Sequence, residues 1–291
     1  MLANRREFTT FDYATLMEAL ENVEREYDDP KEGPQKLLVN PLDEYELDEM
    51  QNEQYVDVMG ETGAYERVPY QEMIVHPERL DNDEYEALIA SLNTEQRDFV
   101  FHVKHTVDTT DEPFHYFLTG GAGTGKSLAI SALYQMLTRS FDENVQNRDR
   151  EKPSVLLCAP TGMAAYNILG QTIHSLFHLP VDQYSEPDTG LSADIANTIR
   201  ASLAELRVVI IDEISMVGQK IFRLVDQRLQ QVFGSPRPFG GRSVIVVGDF
   251  NQLPPVRAQP VFSTETDNPY ITLFGQSLWD LFHVYRLTTV M

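Results

Sequence analysis

The sequence of 291 residues is 42% hydrophobic and 10% aromatic and contains one cysteine, Cys158. This is the composition of a globular protein, and a single cysteine excludes both a disulfide framework and a cysteine-based metal site. A formal net charge of −22 argues, taken alone, against a nucleic-acid partner, because phosphate binding usually requires a basic surface. Its apolar runs are too short to span a bilayer and its N-terminus lacks a signal-peptide pattern. We therefore expect an intracellular protein with no membrane partner.

The negative charge is concentrated in the first third of the chain. Residues 1–92 carry 7 basic and 24 acidic side chains, a net charge of −17, whereas residues 93–291 carry 16 and 21, a net charge of −5. We predict an acidic N-terminal arm over residues 1–91, with a helix within residues 16–27 and an irregular, tyrosine-rich stretch from 35 to 75. We interpret the arm as a solvated charge run, with a protein-binding surface as the alternative.

From about residue 93, short apolar runs alternate with helical patterns. Near-continuous apolar strands separated by helices predict a mostly parallel sheet with helices on both faces. The predicted strands are 115–119, 155–159, 208–212, 243–248 and 283–287. The predicted helices are 94–106, 126–139, 161–170, 194–204 and 217–233.

A glycine-rich segment after the first of these strands fits the pattern G-x-x-x-x-G-K-[ST]. Glycines let successive backbone N–H groups turn inward around phosphate oxygens, and the following helix N-terminus adds positive potential. Lys126 should reach the β- and γ-phosphates of ATP, and the Ser127 hydroxyl should bind Mg²⁺. The alternative interpretation is a glycine-rich turn without a ligand. The strand before the segment and the helix after it favour the phosphate-binding interpretation. The predicted nucleotide-binding residues are Gly120, Gly121, Ala122, Gly123, Thr124, Gly125, Lys126 and Ser127.

Two carboxylates, Asp212 and Glu213, follow a run of four aliphatic residues. The carboxyl ends of parallel strands meet at the edge where ligands bind in such sheets. Asp212 is thus predicted to join the Mg²⁺ site, and Glu213 to polarise the water that attacks the γ-phosphate. Helix capping is the alternative role for acidic residues after a strand.

Gln252 follows the next strand, within Gly248-Asp249-Phe250-Asn251-Gln252-Leu253-Pro254-Pro255-Val256. An amide just beyond a strand can hydrogen-bond a γ-phosphate or the attacking water. Its hydrogen bonds then change when that phosphate is lost. A glutamine in a loop usually only faces water, so this prediction depends on Gln252 lying at the same edge as the two earlier strand ends.

Taken together, these motifs resemble the first motor domain of superfamily 1 DNA helicases, specifically the Pif1-like branch. The resemblance runs from about Leu92 to the C-terminus, with Gln96 in a segment similar to the family's Q-motif. It also includes 159–165, 170–175 and 238–241. It implies a RecA-like motor domain over residues 92–291, ATP and Mg²⁺ as cofactors, adenine recognition by Gln96, and single-stranded DNA as partner.

The resemblance also implies DNA contacts at the second motif, for which the residue types alone are a moderate argument. Hydroxyls can donate to phosphates, a glycine permits close approach, and a histidine can stack on a nucleotide. The alternatives are helix capping for Thr161, a packed polar role for His174, and a place in the core for Phe177, which could otherwise support a base. The predicted DNA-binding residues are Thr161, Gly162, Thr172, His174 and Ser175.

Such helicases use two RecA-like domains, and the second supplies an arginine to the ATP site. The segment ending at Met291 stops before that part of the pattern, so we expect a truncated, monomeric motor domain that binds single-stranded DNA weakly and does not unwind duplexes. A non-motor ATP-binding or regulatory module is the alternative function. A P-loop kinase or GTPase is disfavoured, since a guanine-reading Asn-Lys-x-Asp segment is absent.

Overall fold

The computed structural model describes residues 55–59, 65–69, 74, 77–144, 149, 152–179, 190–263 and 277–291. The helix predicted within residues 16–27 lies outside these ranges. The stretch predicted as irregular contains an antiparallel hairpin, β1 (Tyr55–Met59) and β2 (Tyr65–Pro69), in which Tyr55 pairs with Pro69. Five-residue strands carry too few alternations to stand out from an acidic background, which is why the pattern was not recognised.

The centre of the fold is a six-stranded sheet in which every pairing is parallel. Its spatial order is β5-β4-β6-β7-β3-β8. Three predicted strands have the predicted bounds, two differ by one residue, and the two-residue β5 was not predicted. The strands are β3 (His115–Gly120), β4 (Val155–Ala159), β5 (Gln171–Thr172), β6 (Val208–Ile211), β7 (Ser243–Gly248) and β8 (His283–Leu287).

Helices follow the strands as predicted, and α1 and the one-turn α5 are additional. None of the helices in the described part of the chain is both long and apolar enough to cross a membrane. The helices are α1 (Asn82–Ser91), α2 (Thr94–Thr109), α3 (Lys126–Asn144), α4 (Gly162–Asn167), α5 (Ile173–Leu176), α6 (Ala193–Ser202) and α7 (Gln219–Phe233).

Successive side chains of the central strands enter two separate apolar clusters. Phe117 belongs to the cluster that includes α6 and α7, and its neighbour Leu118 belongs to the one formed with α2 and α3. Val246 and Val247 alternate in the same way. Since adjacent strand residues point to opposite faces, helices must cover both sides of the sheet. The predicted fold class, an α/β RecA-like domain, is confirmed.

The strand order brings three functional strand ends together. β7 lies between β3, which leads into the phosphate loop, and β6, which ends at the acidic pair. Thr119 pairs with Gly248 on one side of β7, and Ile211 pairs with Val246 on the other. Because adjacent strands are roughly 5 Å apart, the three ends occupy one edge about 10 Å wide.

The segment 77–81 is bound along the helix that follows the phosphate loop. Gln135 of α3 accepts from the Leu80 N–H at 3.1 Å and donates to the Glu78 carbonyl at 2.7 Å. Arg139 donates to the Leu80 and Asp81 carbonyls at 2.6 and 3.2 Å, and its guanidinium lies 4.4 Å from the centre of the Tyr85 ring. Hydrogen bonds to the backbone therefore hold this segment on α3. The segment precedes residue 92, where the resemblance implies that the motor domain begins.

Replacing Arg139 with alanine should lower the free energy of unfolding by about 2–3 kcal/mol, since it leaves two carbonyls without their charged donor. Equilibrium urea unfolding measures the change. Arg237→Ala is the matched control, because Arg237 forms an ion pair with Glu112 in which both side chains are exposed. The control should cost no more than about 1 kcal/mol. Equal losses in the two variants would contradict a specific role for this anchor.

Candidate functional site

The phosphate loop connects β3 directly to α3. Gly123 and Gly125 have φ values of 77° and 74°, in the left-handed region that glycine adopts without strain. The Lys126 ammonium donates to the Gly120 and Gly121 carbonyls at 2.7 and 3.1 Å. The lysine is thus held at the loop, close to where phosphate oxygens would be bound. Ser127 lies in the first turn of α3 and is exposed.

Gln96 is fully buried against the phosphate loop. Its side-chain oxygen accepts from the Asn93 N–H at 3.0 Å, which completes a capping box at the start of α2. Its amide nitrogen donates to the Thr124 and Gly125 carbonyls at 2.9 and 3.4 Å. In this arrangement Gln96 joins α2 to the loop, and its assignment to adenine recognition stays a prediction.

Asp212 and Glu213 follow β6, as predicted. Asp212 is buried, and burial raises its pKa to about 6, while the Lys126 ammonium acts in the opposite direction. The phosphate loop and the acidic strand end share one edge of the sheet, because β3 and β6 both flank β7. Glu213 has a left-handed backbone, with φ 51° and ψ 45°, which is uncommon for a residue with a side chain. Such conformations cluster at active sites because the surrounding structure must enforce them.

Asp249 orients the polar loop after β7. Its carboxylate accepts from the Asn251 N–H at 3.0 Å and from the Gln252 amide nitrogen at 3.3 Å. This bond uses one of the two N–H donors of the Gln252 amide and orients the exposed side chain, whose oxygen can accept from a ligand or water. From the sequence, Asp249 is expected only as one of the acidic side chains around the metal site, and its contact with Gln252 is not predicted.

The donor set suits a magnesium ion. Mg²⁺ prefers oxygen ligands and is usually held by one or two protein groups together with phosphates and water. Ser127 and Asp212 offer a hydroxyl and a buried carboxylate at this edge. Among the described residues, no group of three or more histidine, cysteine or carboxylate side chains could hold a metal. The residues therefore fit a nucleotide-bound ion rather than a cage made by the protein alone.

A groove of about 290 Å³ lies beside this edge, and it brings the second motif together with the loop after Gln252. Thr161 and His174 line one part of it, and Pro254, Pro255 and Val256 line another. The loop 249–256 therefore reaches from the acidic strand ends to the groove. Sequence analysis assigned Thr161 and His174 to DNA contact but did not foresee that this loop lines the same groove.

The hydroxyl side chains of the second motif have structural partners. Thr161 caps α4 by accepting from the Ala164 N–H at 3.2 Å, and Thr172 caps α5 by accepting from the Ser175 N–H at 3.2 Å. The Thr172 and Ser175 hydroxyls also bond each other at 2.9 Å.

The remaining residues of this motif differ in exposure. Gly162 is exposed, whereas His174 is half-buried and burial lowers its pKa. Phe177 is only 4% exposed and belongs to the core, so the suggestion that it supports a base is wrong. Cys158 is buried, and burial raises the pKa of its thiol. The DNA contacts themselves stay a prediction.

Alanine at Gly125 should disrupt the phosphate loop. A β-carbon there would lie 2.3 Å from the Gln96 amide nitrogen, and the φ of 74° is strained for any L side chain. We expect nucleotide affinity to fall at least tenfold, measured by titration with a fluorescent ATP analogue. Gly162→Ala is the matched control, because no atom lies within 4 Å of its β-carbon and it is not among the predicted nucleotide-binding residues. A Gly125→Ala variant that binds as tightly as the control would show that this backbone geometry is not required.

Three comparisons place these features among known proteins. A sequence model described as PIF1-like helicase matches residues 91–291. ATP-dependent DNA helicase Pif1 from a Psychrobacter species is 39% identical over 141 residues, and ATP-dependent DNA helicase PIF1 from Emericella nidulans is 34% identical over 141 residues. Each alignment covers 48% of this chain, but only 20% and 18% of the two helicases. A crystal structure of Candida albicans Pif1 helicase superposes with a TM-score of 0.49 and 27% identity, over 69% of this chain and 40% of that one.

Proposed function

The chain belongs to the PIF1-like helicase family, and on that premise we propose that it is a motor domain that couples ATP hydrolysis to movement on single-stranded DNA. The observation that carries this proposal is the loop 249–256. It leaves the edge that holds Lys126 and Asp212, places Gln252 there through Asp249, and continues into the groove lined by Thr161. A single short loop thus runs from the edge of the proposed nucleotide site to the groove of the proposed DNA site.

Different residues of the chain bind the phosphates, hold the metal ion and activate the attacking water. The loop N–H groups surround the phosphates, and the Lys126 ammonium neutralises charge on the β- and γ-phosphates. Ser127 and Asp212 would hold Mg²⁺, which stabilises the charge that develops on the phosphoryl group. Glu213 accepts a proton from the attacking water, and the Gln252 oxygen orients that water or binds beside the γ-phosphate.

Loss of the γ-phosphate would change the contacts of Gln252. The two prolines that follow make the loop stiff, so a shift at Gln252 is carried toward Pro254, Pro255 and Val256 in the groove. This provides a physical route by which hydrolysis changes the grip on DNA. Thr161, Gly162, Thr172, His174 and Ser175 are our proposed contacts with the nucleotide strand.

The groove itself predicts how strongly DNA is held. Its lining is mainly apolar, with one histidine and one threonine among the lining side chains. Few phosphates are therefore neutralised, and we expect weak binding that is lost as salt rises. Translocation requires two domains that close around ATP, and the described residues contain one six-stranded parallel sheet in addition to the antiparallel β1–β2 pair. We propose that this chain alone binds ATP and single-stranded DNA but does not unwind duplexes.

The experiment is to measure phosphate release from ATP with and without an unstructured oligonucleotide at low salt. We expect the DNA to accelerate turnover in the wild-type chain, and Lys126→Ala to show no turnover in either condition. Turnover that depends on Lys126 but not on DNA would favour the alternative, a non-motor ATP-binding module. Turnover that survives in Lys126→Ala would show that the nucleotide site is elsewhere.

A further inference from the structure

Glu95 binds a segment that is 193 residues further along the chain. Its carboxylate accepts from the Thr288 N–H at 2.7 Å and from the Thr289 N–H at 3.0 Å, and the Thr288 hydroxyl donates to its second oxygen. These hydrogen bonds, with that from the Thr288 side chain the largest, lower the pKa of Glu95 to about 2. The carboxylate is thus charged at any working pH, and it holds the chain where it leaves β8.

The far end of the same segment contacts the phosphate loop. The Met291 N–H donates to the Gly123 carbonyl at 2.9 Å, and the Met291 sulfur lies 3.1 Å from the Gln96 amide nitrogen. A β-carbon on Gly123 would lie 3.3 Å from Val290. The segment 288–291 therefore lies between Glu95 and the turn of the loop, with a defined contact at each end.

We propose that Glu95 is a positioning residue for nucleotide binding, which holds the segment 288–291 against the turn of the phosphate loop at Gly123. The inference rests on the proposed function, because it assumes that the loop binds ATP. Glu95 acts through the segment, whose Met291 sulfur lies beside the amide nitrogen of Gln96 from the same helix.

The direction of the effect follows from preorganisation. The loop must present its N–H groups with the Gly123 and Gly125 carbonyls turned away, and the Met291 N–H and Gln96 nitrogen bind those carbonyls in that orientation. If the segment is released, the turn gains freedom that must be lost again when phosphate binds. Weakening the contact should therefore reduce affinity for ATP and ADP.

Glu95 also lies in the first turn of α2, where a negative charge stabilises a helix. Stabilisation of the helix terminus is local to α2. It predicts that replacing Glu95 lowers the stability of the protein, whether or not Thr288 has also been replaced. The capping box made by Asn93 and Gln96 does not involve the Glu95 side chain and should persist when it is replaced. The two roles are therefore separable by experiment.

The test uses Glu95→Gln, which keeps the size of the side chain but removes the charge and one acceptor. We expect a three- to tenfold loss of affinity for a fluorescent ATP analogue and for ADP, together with faster hydrogen exchange at the Thr289 and Met291 amides. Thr288→Val, which removes the hydroxyl donor, should reproduce part of the loss, and Thr288→Ser should restore wild-type affinity. Glu112→Gln, at an exposed ion pair with Arg237, is the matched control and should bind as the wild type does.

The double variant Glu95→Gln with Thr288→Val decides between the two roles. If both residues act through one contact, the double variant should bind no more weakly than Glu95→Gln alone. Additive losses, or unchanged affinity and exchange in Glu95→Gln, would overturn the inference. Failure of the wild-type chain to bind nucleotide, or binding that survives in Lys126→Ala, would refute the proposed function instead. The two failures are thus distinguishable.

Discussion

Replacing Lys126 with alanine is expected to weaken the binding of ATP strongly. Its ammonium is held at the loop by the Gly120 and Gly121 carbonyls, at the edge of the sheet that also carries Asp212. In the proposed complex the ammonium pairs with the phosphates of ATP. Removing one partner of such a desolvated charge pair costs about 2–5 kcal/mol, and 1.4 kcal/mol corresponds to a factor of ten in affinity. We therefore expect affinity for a fluorescent ATP analogue to fall by a factor of about 30 or more, measured by equilibrium titration with magnesium.

Lys104→Ala is the control for this experiment. Lys104 forms an exposed ion pair with Asp108 on α2 (2.5 Å), so its removal changes the net charge of the chain equally. The control should bind nucleotide with wild-type affinity and unfold within about 1 kcal/mol of the wild type. Equal loss in both variants would mean that binding responds to total charge rather than to the loop.

Glu213→Gln should separate binding from hydrolysis. The glutamine keeps the shape of the side chain but cannot accept a proton from water, and a positioned general base typically contributes a factor of about 10²–10⁴. We expect nucleotide affinity to change less than threefold and single-turnover hydrolysis to fall by about 10² or more. Rapid quenching of radiolabelled ATP with excess protein measures the chemical step even where turnover is slow.

The matched control for Glu213→Gln is Glu86→Gln, on the exposed side of α1. It should hydrolyse ATP at the wild-type rate. If Glu213→Gln also keeps that rate, Glu213 is not the base. If the Glu213→Gln variant instead loses nucleotide affinity, the Glu213 carboxylate contributes to binding at this left-handed position rather than to the activation of water.

The sheet and the phosphate loop were predictable because both depend on local pattern. Runs such as Val208–Ile211 are apolar on both faces, and that occurs where helices cover both sides of a parallel sheet. Glycines followed by lysine and serine indicate a phosphate loop because the backbone geometry requires those residue types. Strand order was not readable from the sequence. It is β7, placed between β3 and β6, that brings Gln252 to the same edge as Lys126 and Asp212.

Contacts between distant residues account for most of what sequence analysis missed. Nothing in the local pattern around Glu95 indicates Thr288, and nothing around Arg139 indicates the backbone of Leu80. Both depend on long-range packing. Thr161 shows a different difficulty, since the hydroxyl assigned to DNA also caps a helix. A residue type compatible with two roles cannot be assigned from its type alone.

The charge of −22 is consistent with this account once its distribution is considered. Most of it precedes residue 93, and part of the remainder belongs to Asp212, Glu213 and Asp249 at the proposed ATP site. Whether the acidic arm binds a protein partner stays a prediction, because residues 1–54 lie outside the described ranges.

The central claim is that ATP and single-stranded DNA bind to coupled sites through the loop 249–256. Its most direct test is the affinity of the chain for a fluorescent oligonucleotide at low salt, measured by anisotropy without nucleotide and at saturating non-hydrolysable ATP analogue. Coupled sites must influence each other equally, so the DNA should change the affinity for the analogue by the same factor. We expect a reciprocal change of at least threefold that disappears in Gln252→Ala. DNA affinity that is identical with and without bound nucleotide would contradict the account.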